Sequence, residues 1–175
     1  MEKNNVWREV FGWIRDIGIA VILVLLIFNF VGQKTNVVGK SMEPTLFDGD
    51  QLVIDKLSYR FGDVERFDII VFPYEPKLYY IKRVIGLPGE EIRIENGQVL
   101  VNNEVIDDEF GFDIIREYGN NLPLVVPENE FFVMGDNRNK SSDSRYTDVG
   151  TIYEEDIIGK AIVRIWPMST FGALE

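Results

Sequence analysis

The chain has 175 residues, of which 46% are hydrophobic and 13% aromatic, enough for one globular domain and a short accessory segment. It carries 18 basic and 29 acidic residues, a formal net charge of -11, which argues against nucleic acid because phosphate binding needs clustered lysine and arginine. Cysteine and histidine are both absent, which excludes disulfides, Cys-ligated zinc, Ser-His-Asp triads and His-ligated catalytic metals.

The first predicted element is a membrane-spanning helix over residues 13–33. Its centre, residues 17–31, reads IGIAVILVLLIFNFV, with Asn29 as the one strongly polar residue. With its flanks the run reaches the ~20 residues that a helix needs to cross the hydrocarbon. A cleaved signal peptide is the alternative, but the following segment lacks the small-x-small pattern that cleavage requires. A buried helix in a soluble core is the other alternative, and the run has no polar face.

The predicted helix divides the chain into three parts. We expect residues 1–12 to be a short cytoplasmic N-terminus, residues 13–33 an uncleaved signal anchor and residues 34–175 an extracytoplasmic catalytic domain. Three basic residues precede the apolar run and two follow it closely, which slightly favours an N-terminus inside the cell. The expected location is the cytoplasmic membrane, with a single pass and the lipid bilayer as a partner.

Beyond residue 34 the sequence changes to short alternating apolar runs bounded by Gly, Pro, Asn and Asp, a pattern typical of β-strands. Residues 91–101 predict a hairpin, with Asn96-Gly97 supplying the two turn positions of positive φ. Residues 104–125 are mixed in charge and predict a long excursion from the core. We expect a mainly β domain. Its predicted strands cover residues 51–54, 67–72, 78–85, 131–134 and 157–166.

The first segment with potential for chemistry is Gly39-Lys40-Ser41-Met42-Glu43-Pro44-Thr45. Glycine before the serine and proline after it predict a shaped, irregular segment in which the backbone can approach a substrate closely. By itself this heptapeptide is better explained as an ordinary turn with a turn serine.

The second segment contains Lys82 and Arg83 on a predicted strand. Adjacent strand residues point to opposite faces, and both faces here are largely apolar, so at least one of the two side chains must be partly buried. A solvated edge strand is the alternative. Burial lowers the pKa of a lysine and allows it to act as a base, whereas arginine stays protonated. Lys82 is therefore the residue capable of accepting a proton.

The third segment, residues 134–145, reads MGDNRNKSSDSR. Its side chains readily bond to their own backbone, so a structured polar loop without catalytic function is the simplest interpretation. An ion pair between Asp143 and Arg145 would hold such a loop, and a hydroxyl in it would orient the lysine amine.

Together and in this order, these segments resemble bacterial type I signal peptidase, in the compact form of Gram-positive bacteria. The resemblance rests on residues 39–46, 67–72, 80–90 and 135–145. It implies a signal-peptidase-like antiparallel β-sheet domain with one N-terminal transmembrane helix. It also implies a serine endopeptidase that removes signal peptides from exported preproteins after small-x-small motifs, without cofactor or metal and as a monomer.

The resemblance also implies roles for individual residues. Ser41 would be the nucleophile and Lys82 the general base, while Ser141 would bond to the Lys82 amine. Asp143 and Arg145 would form a supporting ion pair, and Asp136 would position the loop and Arg145. Substrate pockets for small side chains would be lined by Val37, Met42, Leu46, Tyr80 and Ile81.

The sequence departs from the family pattern at Gly39. Some members have a hydroxyl residue there, two positions before the nucleophile, which donates to the oxyanion. With glycine in that place, the oxyanion hole would rest mainly on backbone N–H groups, including that of Ser41.

Two other functions stay open at this point. Self-cleavage, as in the Ser-Lys repressors of the DNA-damage response, would use the same chemistry, but those proteins carry a DNA-binding domain. An inactive family member that binds preproteins at the membrane is the second, although both Ser41 and Lys82 are present.

Overall fold

The computed structural model describes residues 9–22, 32–76, 78–111, 115–116 and 119–174. The chain forms two compact units, Met1–Gln33 and Lys34–Glu175. In the first unit, residues 9–22 form helix α1. No helix within the described residues has the length and apolarity needed to cross a membrane. Residues 23–31 of the predicted anchor lie outside the described part, so the membrane span stays a prediction.

The second unit is mainly β, as predicted, and is built on an eight-stranded and a four-stranded sheet. The larger sheet has the order β1-β2-β11-β3-β4-β9-β10, with β12 paired to β11, and the smaller has the order β7-β6-β5-β8. The strands are β1 Gly32–Asn36, β2 Gln51–Asp55, β3 Ile69–Glu75, β4 Leu78–Gly86, β5 Glu91–Glu95, β6 Gln98–Val101, β7 Glu104–Val105, β8 Leu124–Val125, β9 Glu130–Met134, β10 Ile152–Tyr153, β11 Gly159–Trp166 and β12 Gly172–Ala173. The described residues of this unit also form helix α2, Ser58–Phe61, and two 3-10 helices, Glu154–Asp156 and Met168–Thr170.

The predicted hairpin is confirmed. β5 and β6 pair antiparallel, with Glu95 opposite Gln98. The turn residues Asn96 and Gly97 have φ of 52° and 80°. These values match the left-handed conformation that a two-residue hairpin loop of type I′ requires at both positions.

Strand β3 begins two residues later than the alternating pattern predicts. Phe67 has φ of 74°, a left-handed conformation that a strand cannot contain and that a bulky residue rarely adopts. Its carbonyl oxygen accepts a hydrogen bond of 2.8 Å from Arg83 Nη1. The local pattern could not anticipate this distortion because its partner lies sixteen residues further along the chain.

Strand β4 places Lys82 in the protein interior because the strand runs from the surface into the core. Its first two residues are exposed and its last five are buried, and Lys82 is the first of those five. The strand pairs with β3 on one side, where Lys82 faces Ile70, and with β9 on the other. Both neighbours are rich in apolar residues, so the lysine amine lies among groups that give it little solvation.

Candidate active site

The turn that carries Ser41 is anchored on both sides in the core. Met42 and Leu46 are 2% and 0% exposed, and the Leu46 N–H donates to the Met42 carbonyl oxygen at 2.8 Å. Gly39 has φ of 91°, and its N–H donates to Asp48 Oδ1 at 2.8 Å. Ser41 is therefore a partly exposed residue on a fixed segment, and glycine provides the left-handed backbone conformation before it.

Lys82 reaches this turn from the middle of β4. Its Nζ lies 3.0 Å from Ser41 Oγ and 3.1 Å from the Ile81 carbonyl oxygen. The residue is 3% exposed, and its amine lies 4.5 Å from the centre of the Tyr80 ring. The two side chains predicted to react are thus in hydrogen-bond contact, although 41 residues separate them along the chain.

The surroundings of Lys82 favour the neutral amine. Burial lowers its pKa from 10.5 to about 8, against the opposing attraction of the Asp143 and Asp136 carboxylates. Desolvation outweighs the two carboxylates because each already faces an arginine. A large fraction of Lys82 can therefore lose its proton at mildly alkaline pH.

Two buried ion pairs flank the lysine. Arg83 donates through Nε and Nη2 to both oxygens of Asp136, at 2.9 and 2.8 Å. Arg145 donates in the same two-pronged manner to Asp143, at 2.7 and 2.9 Å. All four side chains are 0% exposed. Such forked pairs fix the carboxylates in position as well as neutralising them.

The ion pair of Asp143 with Arg145 is formed as predicted, whereas Asp136 has a partner that sequence reasoning missed. Asp136 was expected to position the polar loop and Arg145, and the structure pairs it with Arg83 of β4. Arg83 was treated only as a residue that must be partly buried. A buried arginine needs a carboxylate, and this requirement was the signal that could have identified the pair.

Ser141 lies in the site but does not bond to Lys82 in this structure. Among the described residues its buried hydroxyl has no hydrogen-bond partner. An ideal Cβ built on Gly135 would collide with this hydroxyl and with the Ser41 carbonyl oxygen. Gly135 therefore allows the polar loop to approach the nucleophile closely. The orienting role of Ser141 stays a prediction.

The dyad opens into a cleft of about 370 Å³. Four of the five predicted pocket residues line it, namely Val37, Met42, Tyr80 and Ile81. Leu46 is not among the described lining residues. It is fully buried in the core cluster that contains Val37 and Met42, because it packs there with Leu52 of β2 and Ile69 of β3.

A second cavity, of about 420 Å³, lies beside the smaller sheet. Its described lining includes Asp108 and Arg138 but neither serine nor lysine, so the dyad cleft is the better candidate for catalysis. Among the described residues, no group of three or more carboxylates is arranged to hold a metal ion.

The chain is similar in sequence to known signal peptidases. A sequence model described as "Signal peptidase, peptidase S26" matches residues 10–166. The chain is 40% identical to "Probable signal peptidase I-2" of Synechocystis sp. over 98% of its length and 78% of the relative. It is 36% identical to "Signal peptidase I P" of Bacillus subtilis subsp. natto, covering 95% and 92%. A crystal structure of a signal peptidase I from Enterococcus faecalis V583 has a TM-score of 0.48 and 30% identity, covering 57% of this chain and 97% of that one.

Proposed function

This chain belongs to the signal peptidase family, peptidase S26, whose type I members are serine endopeptidases, and we propose that Ser41 and Lys82 are its catalytic dyad. In this proposal the enzyme is anchored in the cytoplasmic membrane. It removes signal peptides from exported preproteins after small-x-small motifs, on the extracytoplasmic side and as a monomer.

One observation carries the proposal. The Lys82 amine, buried and with a pKa lowered to about 8, lies 3.0 Å from the Ser41 hydroxyl oxygen at the base of an open cleft. A base must be within hydrogen-bond distance of the proton that it removes and have a pKa near the working pH. Lys82 meets both conditions.

The chemistry follows from this pair. Neutral Lys82 accepts the Ser41 proton as Oγ attacks the scissile carbonyl carbon, and the Ser41 N–H donates to the oxygen that becomes negative. The Lys82 ammonium then protonates the departing amine, which leaves an ester on Ser41. Lys82 next accepts a proton from water as the water attacks this ester. The bond between the acyl carbon and Ser41 Oγ then breaks, Lys82 returns the proton to Oγ, and the cleaved signal peptide departs with a new carboxyl group.

The polar loop supports the base in this scheme. The Asp136–Arg83 pair holds the loop against β4, the Asp143–Arg145 pair fixes the loop internally, and both carboxylates are neutralised. A free carboxylate beside Lys82 would stabilise its ammonium form and make it a weaker base. Ser141 orients the amine when the site is occupied by substrate.

The walls of the cleft fit a substrate with small side chains. Val37 and Met42 are 4% and 2% exposed, so the cleft is lined there by fully packed apolar side chains. Tyr80 and Ile81 of β4 line the same cleft. Alanine-sized groups one and three residues before the cut would fit in this cleft, and an apolar lining excludes water around Lys82.

Membrane anchoring rests on the sequence of residues 13–33 and on the character of α1. Large apolar side chains of α1 are exposed on several sides, among them Phe11, Trp13, Ile14 and Ile17. A helix with apolar groups exposed in this way needs an apolar partner. The lipid bilayer is the partner that the uniformly apolar continuation of the sequence indicates.

The test uses the full chain in detergent with a preprotein that has Ala-x-Ala before its cut site. The wild type is compared with Ser41→Ala and Lys82→Ala, and mass spectrometry identifies the products. We expect cleavage after the second alanine, abolished in both variants.

Matched controls come from the same cleft. Ser142 and Lys140 are exposed residues that line it, and Ser142→Ala and Lys140→Ala should retain activity. A wild type without activity at neutral and alkaline pH would contradict the proposal. It would favour the alternative that this chain is an inactive family member that only binds preproteins. Equal losses of cleavage activity in the control variants would contradict the assignment of Ser41 and Lys82 as the dyad, but not the proposed peptidase function.

A further inference from the structure

We infer that Asn137 is a positioning residue for the oxyanion hole, acting through the peptide bond between Lys40 and Ser41. The inference rests on the proposed function and adds a residue that the dyad mechanism does not use. Asn137 lies in the polar loop and is 97 residues from Lys40 in sequence.

Asn137 donates hydrogen bonds to the nucleophile segment on both sides of the Ser41 side chain. Its side-chain Nδ2 donates to the Lys40 carbonyl oxygen at 3.0 Å. Its backbone N–H donates to the Ser41 carbonyl oxygen, also at 3.0 Å. The two carbonyls that flank the nucleophile are therefore both held by one residue.

The side-chain bond matters because of the peptide unit that it contacts. The Lys40 carbonyl and the Ser41 N–H belong to the same planar trans peptide, so they point in opposite directions. Fixing the oxygen therefore fixes the direction of the N–H that faces the developing oxyanion. A hydrogen bond to the oxygen also polarises the amide and makes its N–H a stronger donor.

The Lys40 carbonyl oxygen accepts a second hydrogen bond, from within the turn. The Glu43 N–H donates to the Lys40 carbonyl at 3.3 Å, so the oxygen has two donors among the residues that the structure describes. The bond from Asn137 is the shorter one, and it alone comes from outside the turn. The polar loop thus adds a second constraint, beside the turn's own bond, on the orientation of the Ser41 amide.

The glycine at position 39 makes the hydrogen bond from Asn137 more important for the oxyanion hole. Glycine has no hydroxyl to offer the oxyanion, and the Gly39 N–H is already bonded to Asp48 Oδ1. The Ser41 N–H is left as the main candidate donor from this segment. An oxyanion hole that depends on few donors gains more from aligning and polarising each of them.

The experiment compares Asn137→Ala and Asn137→Leu with Asn139→Ala in the full chain in detergent. Leucine retains most of the side-chain volume but cannot donate. Asn139 is the matched control, since it lies in the same loop and its Oδ1 accepts from the Arg116 N–H. An internally quenched peptide with alanine one and three residues before the cut gives kcat and KM per folded molecule. A peptide aldehyde ending in alanine, which forms a tetrahedral adduct with a serine hydroxyl, reports on the oxyanion hole directly.

We expect both Asn137 variants to lose about tenfold in kcat, less than removal of a whole oxyanion donor, with KM within about twofold. Aldehyde affinity should fall by a similar factor. The pH midpoint of kcat should stay in place, because Asn137 is uncharged, whereas a general displacement of the site would move it. Asn139→Ala should remain within about twofold of the wild type in kcat.

Unchanged kcat in both Asn137 variants, or a kcat loss without loss of aldehyde affinity, would overturn the inference. So would a shifted pH midpoint, which would indicate displacement of Lys82. Normalising to folded enzyme keeps instability from imitating the effect, because unfolding alone leaves kcat per folded molecule unchanged. If the wild type cleaves normally, these outcomes contradict the inference about Asn137 alone. If the wild type is inactive, the proposed function and the inference both fail.

Discussion

The Arg83 guanidinium lies over the ring of Phe110, with Cζ 3.6 Å from the ring centre. Arg83 is also the partner of Asp136, so the stack connects the excursion between β7 and β8 to the strand that carries Lys82. The same excursion pairs Asp108 with Arg138 of the polar loop. Through these contacts Asp108 and Phe110 brace the polar loop and the buried arginine.

Replacing Phe110 by leucine tests this brace. The variant removes the cation–π contact and part of the packing on Arg83, so the free energy of unfolding should fall by about 1–2 kcal/mol. Urea unfolding followed by fluorescence measures it. Phe61→Leu is the control, because Phe61 is 89% exposed and its replacement should change stability by less than about 0.5 kcal/mol. Equal effects at both positions would show that the stack is not a brace.

Gly135→Ala should damage both stability and catalysis. The added methyl group would meet the Ser41 carbonyl oxygen and the Ser141 hydroxyl, and both belong to packed segments that cannot easily move. Overpacking of this kind costs about 1–3 kcal/mol. Thermal unfolding and peptide cleavage are the measurements. Gly172→Ala, where a Cβ meets nothing within 4 Å, should behave like the wild type.

Ser141→Ala should separate stability from activity. The hydroxyl is buried without a hydrogen-bond partner among the described residues, so its removal should leave stability unchanged or raise it by about 1 kcal/mol. If Ser141 orients Lys82 during catalysis, kcat should nevertheless fall by up to about 100-fold, as for other misplaced catalytic groups. A variant that is both stable and fully active would remove Ser141 from the mechanism. Ser142→Ala provides the comparison for loss of an exposed hydroxyl from the same loop.

The pH dependence of kcat/KM should report Lys82. Because burial lowers its pKa to about 8, activity should rise with pH and level off above that value as the amine becomes neutral. A pH profile between 6 and 10 with a neutral peptide substrate measures the midpoint. Lys82→Arg should be inactive throughout, since arginine stays protonated. A rise centred near the ordinary lysine value of 10.5 would contradict the lowered pKa.

Stability should depend on pH through the same residue. Below pH 8 both the folded and the unfolded chain hold the Lys82 proton, so the full cost of burying the charge is present. Between about 8 and 10.5 the folded state has released the proton while the unfolded state still binds it, so the free energy of unfolding rises with pH. The difference between the two pKa values corresponds to about 3 kcal/mol.

Lys82→Met removes this dependence. Its advantage in stability over the wild type should therefore be larger at pH 7 than at pH 10, by roughly 2–3 kcal/mol. Denaturant unfolding of both proteins at the two pH values is the measurement, with Lys56→Met as the baseline for loss of an exposed lysine. An advantage that is equal at the two pH values would show that Lys82 carries no burial penalty.

The alternation of apolar residues was enough to predict most strands because side-chain direction in a strand follows a local period of two. β4 begins where the pattern places it, β9 begins one residue earlier, at Glu130, and the Asn96-Gly97 turn forms as expected. The late start of β3 was missed because Phe67 is held at positive φ, with its carbonyl bonded to the distant Arg83. Local periodicity contains no information about such a contact.

The sequence by itself determined that neither histidine nor cysteine can carry the chemistry, because the chain contains neither residue and residue types limit which groups can transfer a proton. It also determined the Asp143–Arg145 pair, whose members are two residues apart. Only the tertiary structure decided that Asp136 pairs with Arg83, that Leu46 packs in the core and that Asn137 grips the Ser41 turn. Each of these depends on contacts between segments far apart in the chain, and such contacts are set by how whole sheets pack.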